Sequence, residues 1–234
     1  MRLRLALLSL AALLLTGGFV ALGVWQIHRL AWKEALIARV EARVHAVPVA
    51  PPGPESWAGV GPARDEYRRV AADGAYLPGK DTLVRAVTGR GRGFWVMTPF
   101  VTAGFTILVN RGFVPDGTSP DAYAAPAGHI RVAGLMRMSE PGGGFLHAND
   151  PAGGRWYSRD VAAIAAHHRL GRVAPYFVDA DRTPGRALPV GGMTVIAFRN
   201  QHLAYALTWF ALAIMTAGAY MLLMRDELKL RRTR

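Results

Sequence analysis

Three side chains at the start of the last apolar run have types and a spacing that could bind a ligand. His202 is followed by Tyr205 and Trp209, which at helical spacing share a face with the histidine. An imidazole nitrogen is a common metal ligand. Histidine and aromatic side chains are also common anchors at a membrane surface. These residues alone therefore leave a ligand site and an anchor as alternatives.

Two apolar runs of the sequence must position these side chains. Residues 5–25 and 203–224 carry no charge, and each is long enough for a helix to cross the hydrocarbon core, which takes about 20 residues. The first run is longer than the apolar part of a secretory signal and lacks a small-residue cleavage site. It therefore predicts an uncleaved signal anchor.

Basic residues at the outer ends of the two runs predict how the chain crosses the membrane. Arg2 and Arg4 precede the first run, and Arg225, Lys229 and Arg231 are among the basic residues after the second. Because positive charge beside a span favours the cytoplasm, both termini are predicted there. We expect a multi-pass protein of the bacterial inner membrane with a periplasmic central domain. The mitochondrial intermembrane space is the alternative compartment for that domain.

The composition excludes several functions. The chain has 28 Lys and Arg against 16 Asp and Glu, a net charge of +12, which favours anionic lipid headgroups and anionic ligands. Nucleic-acid binding is not expected, because the sequence has no zinc-finger spacing or RNP-like motif and has two spans. Without cysteine there is no disulfide, thiolate metal site or cysteine nucleophile. The central region also lacks a hydrolase or metalloenzyme motif, so an enzyme is not expected.

The predicted fold class is α+β, with two transmembrane helices flanking a β-rich periplasmic domain. Helical spacing continues beyond the first apolar run, and a cluster of prolines then ends it. The predicted organisation is a transmembrane helix at 1–25, a juxtamembrane helix at 26–46, a Pro-rich linker at 47–66, a β-rich extracytoplasmic domain at 67–201, a transmembrane helix at 202–224 and a basic cytoplasmic tail at 225–234.

Glycines and prolines divide the central domain into short apolar segments, which is typical of strands. The predicted strands are 67–72, 82–87, 94–100, 105–110, 129–136, 155–157, 176–178 and 194–197. One helix is expected at 160–170, with Asp160 as its N-cap and Gly171 just past its end.

Charged residues of this domain are interpreted as parts of the fold. Arg111 follows a strongly apolar strand and is expected in a buried ion pair. Asp179 and Asp181 are expected to lie in a turn rich in proline and arginine, where Arg182 and Arg186 are the expected partners.

Five short motifs, in order along nearly the whole chain, resemble one known family. Residues 23–33 are similar to G-x-W-Q-x-x-R-x-x-W-K, 98–100 to T-P-F, 108–115 to V-N-R-G-W-V-P, 156–160 to W-Y-x-x-D and 200–209 to N-x-H-x-x-Y-A-x-T-W. Phe113 stands where the third motif usually has tryptophan. Their joint spacing resembles the surfeit locus protein 1 family, the membrane-anchored assembly factors of haem-copper cytochrome c oxidase.

The resemblance implies haem a as a bound cargo, with His202 as the axial ligand of its iron. Tyr205 and Trp209 would then pack along the macrocycle, and Arg199 would pair with a propionate. The implied partners are oxidase subunit I, the haem a synthase and membrane lipids. The alternative is a scaffold that stabilises a subunit I intermediate without binding haem.

The segment just after the first span supplies further candidates. Residues expected at the membrane interface, or docking another subunit, are Trp25, Gln26, Arg29, Trp32 and Lys33. His28 is a hypothetical second axial ligand, because paired antiparallel spans would bring it to the depth of His202.

Overall fold

The computed structural model describes residues 2–144, 146–185, 187–196, 198 and 200–232. The chain divides into two compact units, one formed by Met1–Arg39 with Ala197–Arg234 and the other by Val40–Ile196. Two apolar helices belong to the first unit and a β-rich domain is the second. The predicted mixed α+β class with flanking helices is confirmed.

The described residues form four helices, six strands and two 3₁₀ turns. In chain order they are α1 (Arg2–Val44), a 3₁₀ turn (Pro54–Gly59), α2 (Pro62–Asp65), β1 (Arg69–Tyr76), β2 (Thr82–Thr88), β3 (Gly91–Val101), β4 (Thr106–Pro115), a second 3₁₀ turn (Pro120–Tyr123), β5 (Ile130–Met138), α3 (Val161–His167), β6 (Val173–Ala180) and α4 (His202–Arg232).

The long helices α1 and α4 extend beyond the predicted spans. Both contain a stretch long and apolar enough to cross a membrane. Helix α1 continues without a break past residue 25 to Val44, because proline first occurs at Pro48. Helix α4 continues to Arg232, since most residues of the basic tail are good helix formers. The two apolar helices indicate a membrane-associated protein.

The six strands form one sheet that curls back on itself. Their order is β1-β5-β6-β4-β3-β2, and β3 also pairs with β1 through Ala75↔Val101 and Tyr76↔Phe100. Five strands thus make a closed ring. Strand β2 pairs with residues 91–97 of β3, on the same edge that meets β1 farther along at residues 100 and 101. All pairings are antiparallel except β4 with β6, which is parallel. Closure removes most of the exposed strand edges.

Strand β4 is buried on both faces and carries two cores. Ile107 and Val109 pack inside the ring with Phe100 and Tyr176, while Leu108 faces the opposite side. There it meets a second cluster that includes residues of α3. A strand covered on both faces reads as a continuous apolar run, and residues 106–114 are buried throughout.

Two of the predicted strands are wrong. Residues 155–157 form only isolated bridges, and the Trp156 carbonyl accepts from the Arg85 amide at 2.8 Å while its ring packs in the second core. Residues 194–196 have no regular structure; the Thr194 hydroxyl instead donates to Asp179 at 2.8 Å. Ala197 lies outside the described residues. In both places a side chain determines the path more strongly than β-propensity does.

The Pro-rich segment 47–66 packs on the β-rich domain. The Val49 amide donates to Arg69 O at 3.2 Å, and its carbonyl accepts from Ala71 at 2.9 Å. The Pro52 carbonyl accepts from the Trp57 indole at 3.0 Å and from the Tyr176 hydroxyl at 2.7 Å. Prolines lack an amide donor, and this segment docks through the carbonyls of Val49 and Pro52 together with the amide of Val49.

The predicted short helix is confirmed, with a different end. Asp160 is the N-cap and accepts from the Ala163 amide at 3.1 Å. Helix α3 ends at His167, before the predicted Gly171, because Arg169 takes a left-handed conformation with φ +52°. The Lys80 ammonium donates to the freed carbonyl of His168 at 2.9 Å.

Ion pairs stabilise the core, and one predicted set is wrong. Asp179 lies in β6 rather than a turn, and it pairs with Arg137 at 3.0 Å and Arg159 at 3.2 Å. Asp181 pairs with Arg69 rather than Arg182, and Arg186 lies outside the described residues. Strand β5 supplies Arg137, strand β1 supplies Arg69, and Arg159 comes from the segment just before α3, so none of these partners lies in the following turn.

The predicted ion pair of Arg111 is confirmed. Arg111 is 6% exposed and lies 3.6 Å from Asp81. It also donates to the carbonyls of Tyr123 at 2.6 Å and Ala124 at 2.9 Å. These charged hydrogen bonds tie the second 3₁₀ turn to β4.

Replacing Gly112 by alanine is expected to destabilise the domain. Gly112 has φ +126°, and an added Cβ would lie 2.3 Å from the Val190 carbonyl. The combined backbone strain and steric overlap should lower the free energy of unfolding, measured by thermal unfolding, by about 2–3 kcal/mol. Gly117→Ala is the matched control, since Gly117 has φ +78° with open space around it and should cost only about 1 kcal/mol. Equal losses would contradict the close approach.

Asp179→Asn is expected to lower the free energy of unfolding by about 3 kcal/mol, because two largely buried arginines lose a charged partner. Asp73→Asn is the control. Asp73 pairs with Arg131 at 3.2 Å with both side chains exposed, so its loss should stay within about 0.5 kcal/mol. Urea titration followed by near-ultraviolet circular dichroism measures both, and similar values for the two variants would refute the central role of Asp179.

Candidate functional site

Helices α1 and α4 contact each other along one stripe of each helix. The Ser9 and Tyr220 hydroxyls lie 2.7 Å apart, and the Phe19 ring stacks on Trp209 with centroids 5.7 Å apart. Farther along, Gly23 lies under the Phe210 ring, where an added Cβ would come within 2.5 Å of it. A glycine lets the two backbones approach closely, as in many membrane helix pairs.

The same stripe ends in a polar pair, Gln26 with His202. The Gln26 Oε1 lies 2.7 Å from His202 Nδ1. Gln26 is 8% exposed, whereas His202 is partly exposed. The hydrogen bond satisfies the buried amide oxygen, which would otherwise be costly in an apolar setting. The sequence placed Gln26 at the membrane interface but did not pair it with the histidine.

The start of α4 is held by a local contact. The Asn200 side-chain oxygen accepts from the His202 backbone amide at 3.4 Å. A short polar side chain just before a helix commonly satisfies its first amides, and this preference could have identified Asn200 from the sequence. His202 is therefore the first helical residue. The predicted propionate partner Arg199 lies outside the described residues.

The predicted haem-contacting residues differ in their surroundings. Trp209 is engaged against Phe19, whereas Tyr205 is 52% exposed. His28 is exposed and two positions beyond Gln26, and residues at that spacing do not face the same way. The structure therefore brings Gln26, and not His28, to His202.

The cationic residues after the first span make aromatic contacts. The Arg29 guanidinium lies 4.4 Å from the centroid of the exposed Trp32 ring. The Lys33 ammonium lies 5.0 Å from the Phe198 ring, just before α4 begins. Trp25 is 55% exposed. Such contacts suit residues at a membrane interface.

Motif residues of the β-rich domain serve the fold. Thr98 donates its hydroxyl to Asp81, and Asn110 donates to Asp179 at 2.8 Å. Trp156 is buried in the second core, and Asp160 caps α3. Each of these motif residues thus has a structural role.

A polar cavity of about 240 Å³ opens beside Asp179, with Arg137, Arg159 and Trp95 in its lining. Burial lowers the pKa of Arg137, but Asp179 and Glu66 outweigh it and leave that pKa above the ordinary arginine value. Arg137 also pairs with Glu66 at 2.7 Å, and Arg159 pairs with Glu140 at 2.5 Å. Among the described residues, no three His, Asp or Glu side chains converge to hold a bare metal ion.

Comparison with known protein families identifies the same family that the sequence motifs resemble. The model of the SURF1 family matches residues 13–214, which include both Gln26 and His202. The chain belongs to the SURF1 family. The match to this family spans parts of both helices and the whole domain between them.

Individual members of the SURF1 family resemble the chain over most of its length. The SURF1-like protein of Monosiga brevicollis is 36% identical over 223 residues, covering 87% of this chain and 82% of that protein. Surfeit locus protein 1 of Rattus norvegicus is 36% identical over 220 residues, covering 84% and 69%. The Homo sapiens protein of that name is 34% identical over 221 residues, covering 84% and 70%.

A large side chain at Gly23 is expected to separate α1 from α4. Gly23→Leu would overlap the Phe210 ring and should destabilise the helix pair by about 1–3 kcal/mol in micelles, measured by thermal unfolding. Gly17→Leu is the control, because Gly17 is exposed and has nothing near its Cβ position. If Gly17→Leu were as destabilising as Gly23→Leu, close packing at Gly23 would be refuted.

Proposed function

We propose that this chain is an integral-membrane assembly factor for haem-copper cytochrome c oxidase. It holds haem a through His202 and assists the insertion of that haem into subunit I. Membership of the SURF1 family supports the assembly role. The observation that carries the haem role is a partly exposed imidazole at the start of an apolar helix, with one nitrogen already bonded by a buried side chain.

A single histidine meets the needs of a haem better than those of a bare metal ion. The porphyrin supplies the equatorial ligands, so the protein need provide only axial ones. Nδ1 of His202 is engaged by Gln26, and Nε2 is the remaining ring nitrogen that could ligate iron. The residues present therefore fit the group.

The haem would lie against the outside of the helix pair rather than between the spans. Gly23 and Phe210 fill the space between the helices, and Ala206, one turn after His202, is 1% exposed. Tyr205 is the exposed aromatic neighbour of His202 and would pack on the macrocycle. Lys33, beside Phe198, is a cation that could pair with a propionate in place of Arg199.

The β-rich domain would dock subunit I or the haem a synthase, and the high positive charge of the chain would steer that docking. The bacterial inner membrane, with this domain in the periplasm, remains the predicted location. The relatives named above come from eukaryotes, and the mitochondrial intermembrane space is the alternative compartment for this domain. No catalytic step is assigned to the chain.

The visible spectrum of protein purified from cells that make haem a tests this proposal. We expect a Soret band from the wild type and its loss, by roughly tenfold or more in haem per protein, in His202→Ala. His28→Ala is the matched control, because His28 is exposed and faces away from Gln26; it should retain haem. A Soret band that His202→Ala leaves unchanged would reject His202 as ligand, and no band in the wild type would favour the scaffold alternative.

A further inference from the structure

The contact between Gln26 and His202 defines which ring nitrogen carries a proton. An amide oxygen has no hydrogen to donate, so a hydrogen bond from Nδ1 to Gln26 Oε1 at 2.7 Å requires a proton on Nδ1. A neutral imidazole has one proton. Nε2 is then left with its lone pair, which is the form a histidine needs to ligate iron.

The position of Gln26 is fixed by packing on both helices. Gly23 lies one turn before it and allows Phe210 to approach. Ala206 lies one turn after His202 and is almost fully buried. With Gln26 itself 8% exposed, little water can compete for its oxygen. The Asn200 side-chain oxygen also accepts a hydrogen bond from the His202 backbone amide at the start of α4.

We infer that Gln26 is the positioning residue of His202: its amide oxygen holds the imidazole in the Nδ1–H tautomer and presents Nε2 outward as the ligating atom. The use of that atom for haem a rests on the proposed function, but the tautomer is a property of the ligand-free protein. Gln26 touches neither iron nor porphyrin in this arrangement. It acts through the ring that it orients.

Nitrogen NMR of the ligand-free full chain tests the inference directly. The protein is labelled with ¹⁵N-histidine and reconstituted in micelles, and the His202 signals are assigned by their absence in His202→Ala, since the chain has seven histidines. In the neutral ring we expect a protonated Nδ1 and an unprotonated Nε2. A protonated Nε2 would overturn the inference, whether or not the protein binds haem.

Three variants distinguish an effect of Gln26 on the His202 ring from an effect on folding. Gln26→Leu removes the acceptor and should shift His202 toward the Nε2–H form. Gln26→Glu keeps an oxygen at the same reach and should restore the Nδ1–H form. Gln201→Leu is the matched control, because Gln201 is exposed and adjacent to His202, and it should leave the tautomer unchanged. Because the wild-type tautomer is measured on the unsubstituted chain and needs only His202→Ala for assignment, a Gln26 variant that fails to fold does not remove the test.

Haem retention gives the second measurement. Gln26→Leu should weaken haem binding by roughly 10- to 100-fold, the range found when a partner of a ligating histidine is lost, and Gln26→Glu should recover most of it. A Gln26→Leu protein with the wild-type tautomer or with wild-type haem retention would overturn the inference. The Nδ1–H form in a wild type that binds no haem would uphold the positioning of His202 and reject the proposed function instead.

Discussion

The candidate site depends on one polar contact of the helix pair, between the buried Gln26 amide and the His202 ring. Without a partner, the Gln26 amide would be an uncompensated polar group in a buried setting. The His202 ring supplies that partner at 2.7 Å, and the small residues Gly23 and Ala206 let the helices approach closely enough for it to form. The same contact that satisfies Gln26 therefore orients the one histidine at the start of α4.

The β-rich domain solves a different problem, which is to bury charged side chains beside its apolar cores. Arg137 and Arg159 both pair with Asp179 near the end of β6, and Arg111 of β4 forms an ion pair with Asp81. Desolvated charges of this kind are tolerated only when fully paired. They connect strands that are distant in sequence, which gives the motif residues of this domain a role in the fold.

Periodicity and turn residues predicted much of this architecture. The apolar runs predicted both long helices, and Asp160 as an N-cap predicted the start of α3. Both features depend on residues that are close together in the sequence. The strands predicted around Trp156 and Thr194 were wrong. The core contact of Trp156 and the hydrogen bond from Thr194 to Asp179 determine the backbone path of these two segments. The partners of Asp179 are Arg137 and Arg159, and pairings over such sequence distances follow from strand order, which local patterns do not contain.

At the candidate site the sequence indicated the histidine but not its partner. His202 was a candidate ligand because it stands at the start of a predicted span. Gln26 was predicted only as a residue of the membrane interface. Only the register of the two helices shows that Gln26, rather than His28, reaches the imidazole. Helical spacing within α1 separates Gln26 from His28, but it does not tell which of them faces the other helix.

The most direct test of the central claim is the iron–histidine vibration in the resonance Raman spectrum of the reduced, haem a-loaded protein. If His202 ligates the iron, the band should shift when the histidines carry ¹⁵N and should be absent from His202→Ala. A band that is insensitive to the label, or that persists unchanged in His202→Ala, would contradict the account.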